Sequence, residues 1–276
     1  MPETPQLNLT DKEIENLIRR IHDGDIDEFN LPIEYYYHVC FLLKQALYKG
    51  MEIKDITDLS KSNLRLVEEL QGNIYHFSSA KTFAQTLEMS NAVTKGEEVV
   101  PWHEFKQIAA DIYSKYNGGK FLQDEEKMGY LQTEYDQIIA DGQTCVNWSR
   151  IEDQKTTLPY LRKNVVEDDN TCEICEPLDG MTAPVDDLCW NELAGSLHFK
   201  CRCFEEQLDM EDGKAAHDPH IVESKTESQT KLMDPMFKQN VYKTREIFNK
   251  DTPAFDVPEK YMEIAKQNFG LKLPKE

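Results

Sequence analysis

Apolar residues recur every three or four positions over long stretches of this chain, whereas strand-like alternation is confined to one short region. Ile14, Leu17, Ile18 and Ile21 form the first stripe. Thr10-Asp11-Lys12-Glu13 ahead of it has the form of a capping box, in which a hydroxyl and a carboxylate each satisfy a free backbone donor. A second helix is expected over 33–47, with Tyr36, Cys40, Leu43 and Leu47 on one face and Gly50 as its stop. A third carries Leu64, Val67 and Leu70 before Gly72, and a fourth opens at Ser78-Ser79 and presents Phe83, Leu87 and Met89 before a polar loop at Lys95-Gly96. Trp102, Phe105, Ile108, Ile112 and Tyr116 predict a helix ending at Asn117-Gly118-Gly119. The longest stripe runs through Met128, Leu131, Tyr135, Ile138, Gly142, Cys145 and Trp148, roughly six turns.

After Asp153 the period breaks into short, turn-rich pieces: 161–166, a knuckle at Cys172 to Cys175, a turn at Leu178-Asp179-Gly180, and alternation through 197–204. The stretch 209–230 is polar without an apolar period and reads as a linker. Two short helix candidates follow, one with Met236, Val241 and Ile247, the other opened by Pro258 and closed by Gly270. The expected fold class is therefore α+β, mainly helical with long packed helices and a small β-containing, zinc-knuckle-like unit. The expected division is a helical arm over 1–72, a principal domain over 73–208, the linker 209–230 and a helical tail over 231–276.

With 276 residues, 39% hydrophobic and 30% charged, the chain can bury a substantial core, which sets aside a disulfide-stapled mini-protein and a disordered polymer. Its net charge of −20 opposes broad contact with a polyphosphate, and 24 acidic against 12 basic residues over 71–208 place most of that charge in the middle. Any nucleic-acid contact is expected to be weak or indirect; the near-neutral tail, where Lys238, Lys243, Arg245 and Lys250 could line a helix, is the one place to look for more. Met1-Pro2-Glu3-Thr4-Pro5 has no signal-peptide pattern, and no apolar run approaches the ~20 residues of a membrane helix. The expected setting is reducing and away from a membrane.

Seven cysteines are then expected to be reduced, and Cys172, Cys175, Cys189, Cys201 and Cys203 crowd into one stretch. Cys172-Glu173-Ile174-Cys175 sets two thiols on a tight turn, and His198-Phe199-Lys200-Cys201-Arg202-Cys203 brings an imidazole and two more. Paired soft ligands of this kind suit tetrahedral zinc in a closed, structural site. The best set is Cys172, Cys175, His198 and Cys201, with Cys203 able to replace either of the last two; an extended second segment would put Cys201 and Cys203 on one face. The competing reading makes them small buried residues holding turns, with His198 bonded to backbone.

Three segments together, Asp169-Asn170-Thr171-Cys172-Glu173-Ile174-Cys175-Glu176-Pro177-Leu178-Asp179-Gly180, Pro184-Val185-Asp186-Asp187 and Leu197-His198-Phe199-Lys200-Cys201-Arg202-Cys203, resemble the core signature of the phage Mu protein F-like minor head proteins. Upstream, 73–82 and Tyr130-Leu131-Gln132-Thr133-Glu134-Tyr135 look like that family's helical part. Phe199-Lys200 departs from the Pro-Asn usual between the His and the Cys-Arg-Cys. The resemblance implies no reaction. It implies a structural, non-enzymatic virion or head-assembly component of a tailed phage or prophage, at the portal vertex or head interior and in the host cytoplasm during assembly. Its partners would be the portal protein and the major capsid or scaffolding protein, and its role would lie in head morphogenesis, DNA packaging or early ejection. The alternative is an enzyme or toxin, a thiol- or zinc-dependent hydrolase built on the Cys/His cluster, with Asp179 beside His198 and Cys201 or Cys203.

Other suggestive groups have plainer readings. Asp179-Gly180 is a turn, Glu167-Asp168-Asp169 and Asp186-Asp187 are solvated acids, and His217-Asp218-Pro219-His220 lies in a flexible loop. The aromatic stripe Trp102, Phe105, Tyr135 and Trp148 is read as packing between two long helices rather than a stacking platform for bases.

Overall fold

A computed structural model of the chain describes residues 9–119, 121–122 and 129–267. Met128, Gly270 and the opening residues 1–5, all used above, lie outside the described residues. The chain is mainly helical with small antiparallel sheets, as the α+β reading expects. It divides into two units, each assembled from separate stretches: one from 1–46, 71–136 and 250–276, the other from 47–70 and 137–249. This interleaving differs from the sequential arm, domain, linker and tail read from the sequence. Among the described residues, no helix is long and apolar enough to cross a membrane.

Helix α1 (Asp11–His22) starts at the expected capping box, with the Thr10 and Glu13 side chains bonded reciprocally and Ile14, Leu17, Ile18 and Ile21 buried. Helix α2 (Ile33–Gly50) buries Tyr35, Val39, Leu42, Leu43, Ala46 and Leu47, so its inner face is turned slightly from the expected one and Tyr36 is only half-buried. Helix α3 (Lys61–Asn91) runs unbroken where two helices were expected. A helix interior tolerates Gly72 at a cost of about 1 kcal/mol. Ser78, Ser79 and Thr82 do not cap a new helix; each hydroxyl donates instead to the carbonyl four residues back.

A two-residue turn with Gly96 at φ +69° joins β1 (Thr94–Lys95) to β2 (Glu98–Val99). Helix α4 (Trp102–Asn117) ends as expected, at Gly118 with φ +79°. It packs on α1, and Trp102 lies under the Arg19 guanidinium at 3.4 Å from the ring centre. Helix α5 (Tyr130–Gln154) follows. The aromatic stripe does not form one seam between α4 and α5: Trp148 belongs to the core of the second unit, beside Ile151, Leu161 and Trp190.

In the second unit the end of α2 crosses α5 at two glycines. A Cβ on Gly50 would sit 2.4 Å from the Ile139 carbonyl oxygen, and one on Gly142 3.1 Å from the Gly50 carbonyl carbon. Gly50 thus serves close approach, beyond marking a helix end. Gly50→Ala is expected to lower stability by about 1–3 kcal/mol through overpacking against backbone, measured by urea unfolding; Gly72→Ala, with open space around it, is expected to be neutral or slightly stabilising.

Three strands make the sheet of this unit, β3 (Tyr160–Asn164), β4 (Thr182–Pro184) and β5 (Phe204–Leu208), antiparallel in the order β4-β3-β5. Alternation along β3 turns Leu161 and Lys163 inward, and Lys163 is paired across the sheet with Glu205. The stretch 209–230 is not a linker. It forms α6 (Met210–Ala216) and α7 (Pro219–Leu232), started by Asp209 and by Asp218 with Pro219. The inward positions of α7 are Val222, Thr226, Gln229 and, just past its end, Met233, a helical period whose polar members hid it. Gly213 lets α6 lie flat on the Tyr160 ring, which a Cβ would meet at 2.3 Å. His217 is likewise not in a flexible loop, since its Nδ1 bonds the Thr182 carbonyl at 2.9 Å.

Among its described residues the tail shows no basic helix face. Helix α8 (Val241–Thr244) is one turn; Lys243 donates to Asn191, and Arg245, left-handed at φ +63°, pairs with Glu69 at 3.6 Å. Helix α9 (Met262–Gln267) belongs to the first unit, where Ala265 joins Leu31, Phe83, Leu87 and Val257 in an apolar cluster.

Candidate metal centre

All five cysteine and histidine donors singled out in the sequence converge in the second unit. They form two overlapping triads, Cys172/Cys175/His198 and Cys175/Cys201/Cys203, whose donor atoms lie within 4.8 Å of one another in each. Cys175, buried, belongs to both. His198 Nε2 is 3.2 Å from the sulfurs of Cys172 and Cys175, and the Cys175 and Cys201 sulfurs are 3.8 Å apart. A group of this composition can hold a metal ion. Cys189, the fifth clustered cysteine, faces the apolar core instead, and burial pushes its thiol up.

Two tight turns supply the donors. The first is closed by Cys175 N–H and Glu176 N–H donating to the Cys172 carbonyl, both at 3.0 Å, and runs into a 3₁₀ turn over 176–178. The second was expected to be extended and is not: Lys200 is left-handed at φ +60° and Cys201 N–H returns to the His198 carbonyl, so the strand begins only at Phe204. That turn swings Cys201 and Cys203 toward Cys175.

His198 shows which nitrogen is free. Its Nδ1 is 2.8 Å from the Phe199 carbonyl, which can only accept, so Nδ1 carries the proton and the Nε2 lone pair points at the two thiols. Metal-bound imidazoles are commonly oriented in this way. Among the thiols, contacts from Cys175 and Cys203 hold Cys201 well below the ordinary cysteine range, with the Lys163 ammonium adding to the effect. The Cys201 contact in turn pushes Cys175 up.

Beneath the second turn lies a buried ion pair that sequence reasoning missed. Lys163, fully buried, donates to Glu205 at 2.7 Å and to the carbonyls of Leu193 and Gly195, while Glu205 also accepts from Gly195 N–H. Burial alone would depress this ammonium; Glu205, with Cys201 and Cys203 behind it, outweighs that and keeps it above its ordinary value. The pair ties residues 193–195, which lead into His198, to the central strand. Its signal was available, because period-two alternation puts Lys163 on the face of Leu161.

The acidic groups serve the same scaffold. Arg202 grips Asp168 with both terminal nitrogens, holding its carboxyl down to about 2; Asp179 Oδ1 accepts from Val165 N–H at 2.9 Å, beside Gly180 at φ +68°. Asp186 pairs with Lys155, and Asp187 caps the turn at Cys189. The opening beside the cluster has a volume of about 30 Å³, lined by Val165, Thr171, Cys172, Cys175, His198 and Cys203 among others.

Asp141 is a second buried acid of this unit, away from the cluster. It accepts from Gln137 in a cavity of about 10 Å³, and burial pushes its carboxyl up to about 7. Its folded value exceeds its unfolded one, so the folded state holds the proton more tightly. Stability should fall as pH rises from about 4 to 7, with the full penalty above 7, by up to about 4 kcal/mol. Asp141→Asn is expected to flatten that part of the stability curve, read by urea unfolding at pH 5 and pH 8.

Together the fold and the cluster define a mainly helical α+β protein with a Cys/His centre of metal-binding chemistry. Comparison with known protein families, with curated proteins and with solved structures finds no match to this chain.

Proposed function

We propose that this chain is a non-enzymatic assembly protein of a tailed-phage or prophage head whose Cys/His unit is a zinc knuckle. Four ligands around zinc, with bonds of about 2.3 Å to sulfur and 2.0 Å to nitrogen, stand about 3.8 Å apart between sulfurs and about 3.5 Å between sulfur and nitrogen. The separations of 3.8 and 3.2 Å match three edges of such a tetrahedron of Cys172, Cys175, His198 and Cys201, with Cys203 in reserve; because the donors stand as two triads sharing Cys175, zinc would draw the second turn onto the first to close the set of four. Zinc bound by four protein ligands keeps no position for a substrate water, which favours a structural role over the hydrolase reading.

The observation that carries the assembly reading is how the signature spends its polar side chains. Asp168, Thr171, Asp179, Asp187 and Arg202 all hold loops of this region, and the opening beside the cluster is small, about 30 Å³. The two upstream segments of the resemblance also meet: Lys81 and Glu134 form a buried pair at 2.9 Å in the first unit. The role follows from the resemblance: docking on the portal protein or on the major capsid or scaffolding protein, at the portal vertex or head interior. Co-expression with a tailed-phage portal protein from the same genome, followed by affinity purification, tests it. Co-elution, together with detection in purified particles, is the expected result; free chain and portal in every fraction would contradict it.

A further inference from the structure

The first unit carries a surface the proposed function does not use. Phe29, Ile33, Tyr37 and Phe41 recur every fourth residue along the entry and outer face of α2, and they are 66%, 49%, 64% and 54% exposed. Three large apolar side chains in one row on α2, with Phe29 exposed in the turn before it, exceed the scattered exposure normal for a soluble surface. At 100° per residue, Ile33, Lys44, Tyr37, Phe41 and Glu34 all fall within an arc of about 100°.

We infer that this stripe is the contact face of a homodimer, in which α2 packs antiparallel on α2 of a second copy. The stripe is self-complementary. Antiparallel pairing about a two-fold axis opposes residues whose numbers have a constant sum. Tyr37 with Phe41, and Glu34 with Lys44, share the same midpoint at residue 39, so one axis stacks ring on ring and sets opposite charges against each other twice. Glu34, exposed at the N-terminal end of the stripe and 3.8 Å from Arg20 in its own chain, would take Lys44 of the second copy as a further partner; Lys44 is half-buried at the C-terminal end, and antiparallel helices also oppose their dipoles favourably. Aromatic side chains bury about 150–250 Å² each when covered, so the four residues offer about 400 Å² per copy. Two copies reach about 800 Å² from these side chains alone, and the flanking residues carry the contact to the lower range of specific interfaces. A weak, concentration-dependent dimer follows. This inference stands apart from the metal centre and from the phage reading.

Sedimentation velocity on the full chain over a hundredfold range of concentration tests it. The expected result is a reversible monomer–dimer equilibrium, weakened at least tenfold by Tyr37→Glu and by Phe41→Glu. Because these side chains are exposed, the variants should keep the parent's circular dichroism and thermal midpoint. Glu34→Lys and Lys44→Glu should each weaken the dimer, and the double exchange should restore it, since only an antiparallel self-contact opposes the two positions. A monomer at every concentration, a dimer indifferent to Tyr37→Glu and Phe41→Glu, or a double exchange no better than the singles would overturn the inference.

Discussion

Cys175→Ser is expected to abolish metal binding and cost the second unit its ordered knuckle, the largest effect of any single substitution in the chain. Cys175 is the residue common to both donor triads, it is buried, and its neighbours are the imidazole and the three other thiols. Losing an outer partner of a metal ligand typically costs 10- to 100-fold in affinity, and losing a central ligand should exceed about 100-fold. Binding energy at such a site is folding energy, about 10–16 kcal/mol for zinc in small peptides. This unit also has an apolar core around Trp148 and Trp190, so the expected outcome is disorder concentrated in 165–205 rather than loss of the whole unit. Hydrogen exchange would show protection lost there and kept in α5. Cys189→Ser, which removes a core thiol outside both triads, should leave metal content unchanged.

Lys163→Met is expected to destabilise the second unit by about 3–5 kcal/mol, because it leaves the Glu205 carboxylate buried without its cation. The carbonyls of Leu193 and Gly195 lose their donor in the same step, so the segment leading to His198 loosens and metal affinity falls with stability. Lys163→Met/Glu205→Leu should recover part of the loss by removing the charge. It should not recover all of it, since Gly195 N–H and both carbonyls stay unpaired. Urea unfolding at saturating metal measures both variants. A loss under about 1 kcal/mol for the single substitution would mean that the pair does not anchor the second turn.

The contrast between these residues shows what was legible in the sequence. The Cys/His donors announced themselves through local spacing, because two residues between thiols is a turn that chemistry alone makes conspicuous. What spacing does not specify is the left-handed Lys200 that bends 198–203, so the extended form of that segment, one of its possible conformations, is not the one adopted. The ion pair was hidden because a lysine on a strand ordinarily faces water. The capping box at Thr10 and the end of α4 at Gly118 were readable because each depends on contacts within one turn. Gly72 and Ser78-Ser79 misled, since the same residues that stop or start a helix are tolerated inside one when the neighbouring turns are apolar and packed. In 209–230 the start signals Asp209 and Asp218-Pro219 were present, but Thr226 and Gln229 on the inward face of α7 erased the apolar period. The interleaving of the two units depends on contacts far apart in the chain, and no local pattern encodes it.

Elemental analysis joined to X-ray absorption on protein purified under reducing conditions tests the central claim most directly. The account predicts about one zinc per chain, in a shell of three sulfurs at about 2.3 Å and one nitrogen at about 2.0 Å, lost in Cys175→Ser. Protein without metal, whose stability is the same in the parent and in Cys172→Ser/Cys175→Ser, would contradict it and leave the cluster as buried thiols hydrogen-bonded to His198.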